Sequence, residues 1–98
     1  MKFVVARKPG PFGLLLVVTD EGLLGKKMVE GKAQLDLSRQ FYQGEKMSEA
    51  EVIILLEQAQ HLHLTGKEII ALAARQDVID SHKVLWVQQV PHAEVVRA

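Results

Sequence analysis

The sequence predicts an α+β fold, a two-layer sandwich in which a mostly antiparallel sheet carries two helices packed on one face. Two apolar, β-rich runs open the chain, two segments with helical periodicity follow in its second half, and a further apolar run comes after them. Strands first, helices together and a strand last is an order typical of segregated α+β domains. It does not fit an alternating, doubly wound fold.

The first half of the chain is predicted to form strands. Residues 2–7 and 13–19 are rich in Val, Leu and Phe and flank the breaker cluster at 8–11, which predicts a β-hairpin. The second of these runs is apolar on both faces, as expected for a central strand. Residues 23–30 are predicted to form a short helical turn or loop, and residues 32–38 alternate strictly, which indicates a half-buried strand.

Two capping boxes predict where the helices begin. Ser48 is followed three residues later by Glu51, and Thr65 by Glu68, and each pair precedes an apolar periodic segment. Between the two helices, residues 61–64 are predicted to form a connecting loop.

The end of the chain is predicted to hold one more strand, at residues 83–87. Pro91 is then expected to end regular pairing, because it has no N–H to donate. The tail at 93–97 could add a short edge strand.

Composition restricts the class of protein. With 98 residues and 48% apolar residues, the chain is expected to be one domain over residues 1–98. Twelve Lys and Arg balance twelve Asp and Glu, so the chain lacks the surplus of positive charge typical of non-specific nucleic-acid binding, although a local basic patch remains compatible with it. The absence of cysteine excludes disulfides and thiolate metal sites. No membrane segment or signal peptide is evident, and a cytoplasmic location is expected.

The familiar catalytic and metal-binding spacings are missing. Residues 20–27 follow a strand where a phosphate-binding loop would lie, but Asp20 replaces its first glycine and Lys27 its Ser or Thr. His61 and His63 would share one face of a strand, yet they are expected in a surface loop with no third ligand nearby. We therefore expect no catalytic residues, no metal site, no cofactor and no requirement for metal in folding.

Three blocks together resemble a known family: residues 20–27 (DEGLLGKK), residues 41–45 (FYQGE) and residues 90–96 (VPHAEVV). They are similar to a family of small archaeal proteins of unknown function, the domain of unknown function numbered 424. The resemblance implies an archaeal, cytoplasmic, single-domain α+β protein and no particular activity. A loose association of the family with translation genes favours a role there. The candidate surface shared with the family comprises Lys26, Lys27, Tyr42, Glu45 and His92.

The leading functional hypothesis is a non-catalytic binding module in translation or RNA handling. In this hypothesis Lys26, Lys27, Arg39 and Tyr42 contact RNA or a ribonucleoprotein, and the basic hairpin tip at residues 7–12 makes a second contact. These four residues flank the strand at 32–38, whose ends would lie about 20 Å apart. They are therefore expected to touch one extended ligand rather than one small molecule, unless the chain folds them back together. One alternative is a small enzyme in which His92 acts with Glu45 or Asp20. Another is a subunit that binds a protein partner or a second copy of itself.

Overall fold

The computed structural model describes residues 2–11 and 13–97. This part of the chain contains eight strands and two α-helices, joined by turns and loops. The strands are β1 (Lys2–Gly10), β2 (Gly13–Asp20), β3 (Lys27–Glu30), β4 (Ala33–Asp36), β5 (Glu45–Ser48), β6 (His61–Thr65), β7 (Leu85–Val87) and β8 (Val90–Val96). The helices are α1 (Glu49–Gln58) and α2 (Lys67–Arg75). Neither helix is long and apolar enough to cross a membrane.

Six strands form one sheet in the order β5-β1-β2-β6-β8-β7, and β3 and β4 form a separate two-stranded sheet. Every pairing is antiparallel except that of β2 with β6. The predicted mixed α and β content and the mostly antiparallel sheet are therefore confirmed. So are the opening hairpin of β1 and β2 and the central position of β2.

Strand β6 corrects the prediction of a loop between the helices. Residues 61–65 read His-Leu-His-Leu-Thr, a strict alternation in which Leu62 and Leu64 are fully buried. They join the same core cluster as the buried residues of α1 and α2, so His61 and His63 point to the opposite face of the sheet. The segment is short, but its period of two is that of a strand.

Helix α1 begins as predicted. The Ser48 hydroxyl accepts a hydrogen bond from the Glu51 backbone N–H at 3.3 Å, and the Glu51 carboxylate accepts one from the Ser48 N–H at 3.2 Å. Both halves of the capping box are present. This reciprocal pair satisfies two backbone donors that a helix start leaves without partners.

Helix α2 begins in a different way from the one predicted, because Thr65 is the last residue of β6 and Gly66 is the N-cap. The carboxylate of Asp20, at the end of β2, accepts hydrogen bonds from the N–H groups of Glu68 and Ile69, both at 2.9 Å. These are the amides that an N-cap side chain normally binds. Gly66 has no side chain to act as a cap. Asp20, 48 positions before Glu68 in the sequence, supplies the cap instead.

Strand β8 corrects two expectations about the end of the chain. Pro91 lies inside the strand, where it pairs with Trp86 of β7 and accepts a hydrogen bond from the Gly66 N–H at 2.9 Å. The Gly66 carbonyl opposite accepts from the Ile70 N–H in α2, so it does not need the N–H that proline lacks. The tail at 93–97 belongs mostly to this same strand, which lies between β6 and β7. The edges of the six-stranded sheet are β5 and β7, so β8 is an interior strand.

The small sheet replaces the predicted turn at 23–30. A short 3-10 turn at Glu21–Leu23 leads into β3, which pairs with β4. The alternation predicted for residues 32–38 is confirmed, since Leu35 and Leu37 are buried. They form a second core cluster with Met28 and Val87, against which Tyr42 packs.

Candidate functional site

A polar row of side chains lies on the face of the six-stranded sheet that points away from Leu62 and Leu64. His61 and His63 are two residues apart on β6 and share this face. The register pairs His63 with Glu94 and Thr65 with His92 on β8. We call His61, His63, His92 and Glu94 the histidine face.

The Glu94 carboxylate is the centre of the histidine face. Its Oε1 lies 2.9 Å from Nε2 of His61 and 3.6 Å from Nε2 of His63. One ligand atom from each of these three residues lies within 4.8 Å of the other two. Because the three side chains project from paired strands, the backbone ladder holds them together.

His92 lies beside this trio and has its own partner. Its Nδ1 is 2.7 Å from the Thr65 hydroxyl, and its ring centroid is 5.8 Å from that of His63. The hydroxyl of Thr19, paired with Thr65 across β2 and β6, is buried without a hydrogen-bond partner among the described residues. Polar groups therefore continue from the histidine face toward the centre of the sheet.

Burial and contacts set the charge of this face. Burial lowers the pKa of His63 and of His92, because it penalises the charged imidazolium. The hydrogen bond with His61 lowers the pKa of Glu94. Near neutral pH the face therefore combines neutral His63 and His92 rings with an ionised carboxylate.

Two aromatic rings border the histidine face. A 3-10 turn at Gln40–Tyr42 carries Phe41, which packs edge-on against His63 at a centroid distance of 5.3 Å and against Tyr42 at 5.1 Å. Lys8 from the hairpin tip places its Nζ 5.1 Å from the Phe41 centroid. Phe12 of the same tip lies outside the described residues.

The predicted basic residues meet at one end of the small sheet. Lys27 pairs with Asp36, and the Leu37 N–H donates to the Lys26 carbonyl at 2.7 Å, so β3 returns to the point where β4 ends. Arg39 lies three residues after Asp36, the last residue of β4, and acts electrostatically on both Asp36 and Tyr42. The β3–β4 hairpin folds the two loops back together, which is the exception allowed for in the expected separation of about 20 Å. We call Lys26, Lys27, Arg39 and Tyr42 the basic cluster.

The structure separates the two remaining candidates. Glu45 lies on the edge strand β5 and is bound to Arg7 at 3.1 Å. His92 lies on β8, with β1, β2 and β6 between them, a distance of about 19 Å at roughly 4.8 Å per strand. Asp20, the other suggested partner of His92, caps α2. The carboxylate near His92 is that of Glu94, two residues along the same strand.

His61 and His63 can be recognised as a pair from the sequence, whereas Glu94 cannot be assigned to them from it. The available signal was the alternation of residues 61–65, which places both rings on one face of a strand. The pairing of β6 with β8 brings Glu94 to them, and no local pattern predicts that long-range register.

A separate groove of about 660 Å³ is lined by Asp20 but by none of the other residues predicted for a site. It is found where α2 begins, and its lining includes Lys2, Asp20, Glu21, Lys67 and Glu68. Charges of both signs share it, and Asp20 is already bound to the helix amides. Asp20 in this groove therefore has a structural role as the cap of α2.

Comparisons with known proteins agree with this architecture. The crystal structure of an uncharacterized conserved protein from Methanopyrus kandleri matches with a TM-score of 0.78 at 15% identity, over 100% of this chain and 95% of that chain. At this identity the likeness concerns the fold alone. No curated protein matches the sequence. The family model described as "Protein of unknown function (DUF424)" matches residues 11–98. The chain therefore belongs to the DUF424 family.

Proposed function

We propose that this protein is a non-catalytic binding module that holds single-stranded RNA through the basic cluster and the neighbouring Phe41. The observation that carries the proposal is the return of β3 along β4, which brings Lys26, Lys27 and Arg39 to one end of the small sheet. A role in translation follows from the family resemblance and is part of the same proposal.

The charge of the cluster favours an anionic partner. Hydrogen bonds from Ser38 lower the pKa of Asp36, so this carboxylate is ionised near neutral pH. Lys27 and Arg39 act electrostatically on this carboxylate, and Lys26 adjoins Lys27 in the chain, so the three cations and the one anion leave two positive charges. A chain of zero net charge can therefore present a local surface that attracts phosphates.

The arrangement of rings and cations favours a single strand over a duplex. Arg39, Phe41 and Tyr42 line a groove of about 440 Å³. Arg39 is close enough to Tyr42 to act on it electrostatically, and Lys8 lies over Phe41. Single-stranded nucleic acids are held by such alternation, in which rings stack on bases and cations contact the backbone.

The test is fluorescence anisotropy with a labelled single-stranded RNA over a series of salt concentrations. Replacing Lys26 and Lys27 together with Ala should weaken binding. It should also reduce the slope of log affinity against log salt by about 1.4, at roughly 0.7 for each lost phosphate contact on a single strand. The matched control replaces Lys67 and Lys83, two exposed lysines on α2 and the 3-10 turn at Ser81–Lys83, and removes the same charge elsewhere.

Two outcomes would contradict the proposal. One is wild-type protein that shows no salt-sensitive RNA binding. The other is a control variant that loses as much affinity as the Lys26 and Lys27 variant, since the effect would then reflect total charge and not the cluster.

A further inference from the structure

We propose that His61, His63 and Glu94 form a binding site for a divalent late first-row transition metal ion, with Zn²⁺ the best match. The site shares no residue with the basic cluster, so this inference is independent of RNA binding. It departs from the expectation of no metal site, which depended on placing the two histidines in a loop rather than on strand β6.

The distances fit a metal ion of this kind. Two donor atoms that each lie about 2.1 Å from a tetrahedrally coordinated zinc ion are about 3.4 Å apart. Oε1 of Glu94 lies 2.9 Å from one histidine Nε2 and 3.6 Å from the other, and the set stays within 4.8 Å. Side-chain adjustments of a few tenths of an ångström to about one ångström would bring all three donors to coordination distance.

The donors also select the type of ion. Two imidazole nitrogens and one carboxylate oxygen suit zinc and its neighbours in the first transition row, whereas calcium and magnesium prefer oxygen donors alone. Three protein ligands are the usual number where zinc keeps one position open. The single negative charge of Glu94 offsets half the charge of the ion, and the histidines add donors without further charge.

The alternative is an ordinary hydrogen-bonded pair on the sheet surface. His61 and Glu94 could form one without any metal, at 2.9 Å. That pair does not use Nε2 of His63, which faces the same oxygen at 3.6 Å, longer than a hydrogen bond. The two imidazole rings and the carboxylate together direct three donor atoms at one point. A metal ion at that point would bind all three, whereas a hydrogen-bonded pair uses only two of them.

The site is rigid on one side and open on the other. The register of His63 with Glu94 fixes two of the ligands on neighbouring strands, and His61 lies two residues along β6. Phe41 packs edge-on against His63 and limits movement of that ring. The side chain of Glu94 remains 53% exposed and that of His61 38%, so an ion can enter from solvent and water can fill the fourth position.

The experiment is titration of untagged, chelator-treated protein with ZnCl₂, in competition with a chromophoric zinc chelator. We expect one zinc ion per chain. Replacing His61 or His63 with Ala should weaken binding by at least about 100-fold, because changes in the outer shell of such sites already cost 10- to 100-fold. Co²⁺ in place of zinc should give the intense visible absorption typical of four-coordinate cobalt.

The matched control is His82→Ala, which removes an exposed histidine from the 3-10 turn at Ser81–Lys83. Its zinc affinity should equal that of the wild type. Glu94→Gln keeps the size of the ligand and removes its charge, so it tests the third ligand with less change to the packing than an Ala variant. It should also bind zinc more weakly. Circular dichroism of each metal-free variant establishes that it is folded. The proposal is overturned if the wild type shows no saturable binding at micromolar zinc, or if folded His63→Ala binds as tightly as His82→Ala.

Discussion

Replacement of Asp20 with Ala should destabilise the protein more than any loss of a local helix cap. The carboxylate accepts from two N–H groups at the start of α2, both at 2.9 Å, and one of them belongs to the fully buried Ile69. Loss of an ordinary cap costs about 0.5–2 kcal/mol. Burial raises the pKa of Asp20 despite its two hydrogen bonds, so desolvation offsets part of the roughly 1.5–3 kcal/mol of a hydrogen bond to a charged group, and about 1–1.5 kcal/mol remains for each bond. Water can replace the acceptor at the more exposed Glu68 amide. We therefore expect a loss of about 2–3 kcal/mol in the free energy of unfolding.

Urea denaturation followed by far-ultraviolet circular dichroism measures this loss. Trp86 is 53% exposed and would report unfolding poorly by fluorescence. In thermal unfolding the same loss corresponds to a decrease in Tm of about 10–20 °C, at roughly 4–8 °C per kcal/mol for a chain of this size. Asp20→Asn keeps one acceptor oxygen and loses the charge, so it should cost about 1 kcal/mol.

Thr65→Val is the matched comparison, because it removes only the hydroxyl that the sequence assigned to this cap. It should cost the hydrogen bond with His92, about 1 kcal/mol, and leave the start of α2 intact. Amide hydrogen exchange separates the two cases at single residues. If Thr65→Val, and not Asp20→Ala, removes protection from the Glu68 and Ile69 amides, Asp20 is not the cap of α2.

The remaining predictions concern α1 and the histidine face. Ser48→Ala should lower the free energy of unfolding by about 1 kcal/mol in urea denaturation, since it removes a complete capping box; an unchanged midpoint would contradict this. In metal-free protein, stability should rise with pH between roughly 5 and 7, because the folded chain keeps His63 and His92 neutral where the unfolded chain binds protons. Replacing both with Gln should flatten that part of the profile, and an equally steep profile in this variant would refute the assignment.

Local signals in the sequence predicted the elements that depend on neighbours along the chain. The Ser48 capping box, the opening hairpin and the alternation that buries Leu35 and Leu37 each need only a few consecutive residues, and each is confirmed. The stretch at 61–65 also alternates, but its position between two helical segments favoured a loop. A strand of five residues carries too short a pattern to outweigh that context.

Contacts between distant segments account for what could not be predicted. The cap of α2 comes from Asp20, and Glu94 reaches the histidines only because β8 pairs with β6. The residues of the basic cluster lie together because residues 27–30 form strand β3, which pairs with β4, where the sequence predicted a turn or loop. In each case the interaction joins segments that are far apart in the sequence, so no local pattern contains both partners. The candidate residues could therefore be named one by one from the sequence, but which of them lie together could not be predicted.

The interior position of β8 has a consequence for synthesis of the protein on the ribosome. Strand β6 can pair with β2 as soon as both have emerged, but its other edge waits for residues 90–96, the last strand of the sheet to be translated. Until then a nascent chain presents the unpaired N–H and C=O groups of residues 61–65, a template for pairing with other chains. A truncated product that ends before Val90 would keep this edge permanently, so we expect such fragments to aggregate or to be retained by chaperones rather than to accumulate as folded domains.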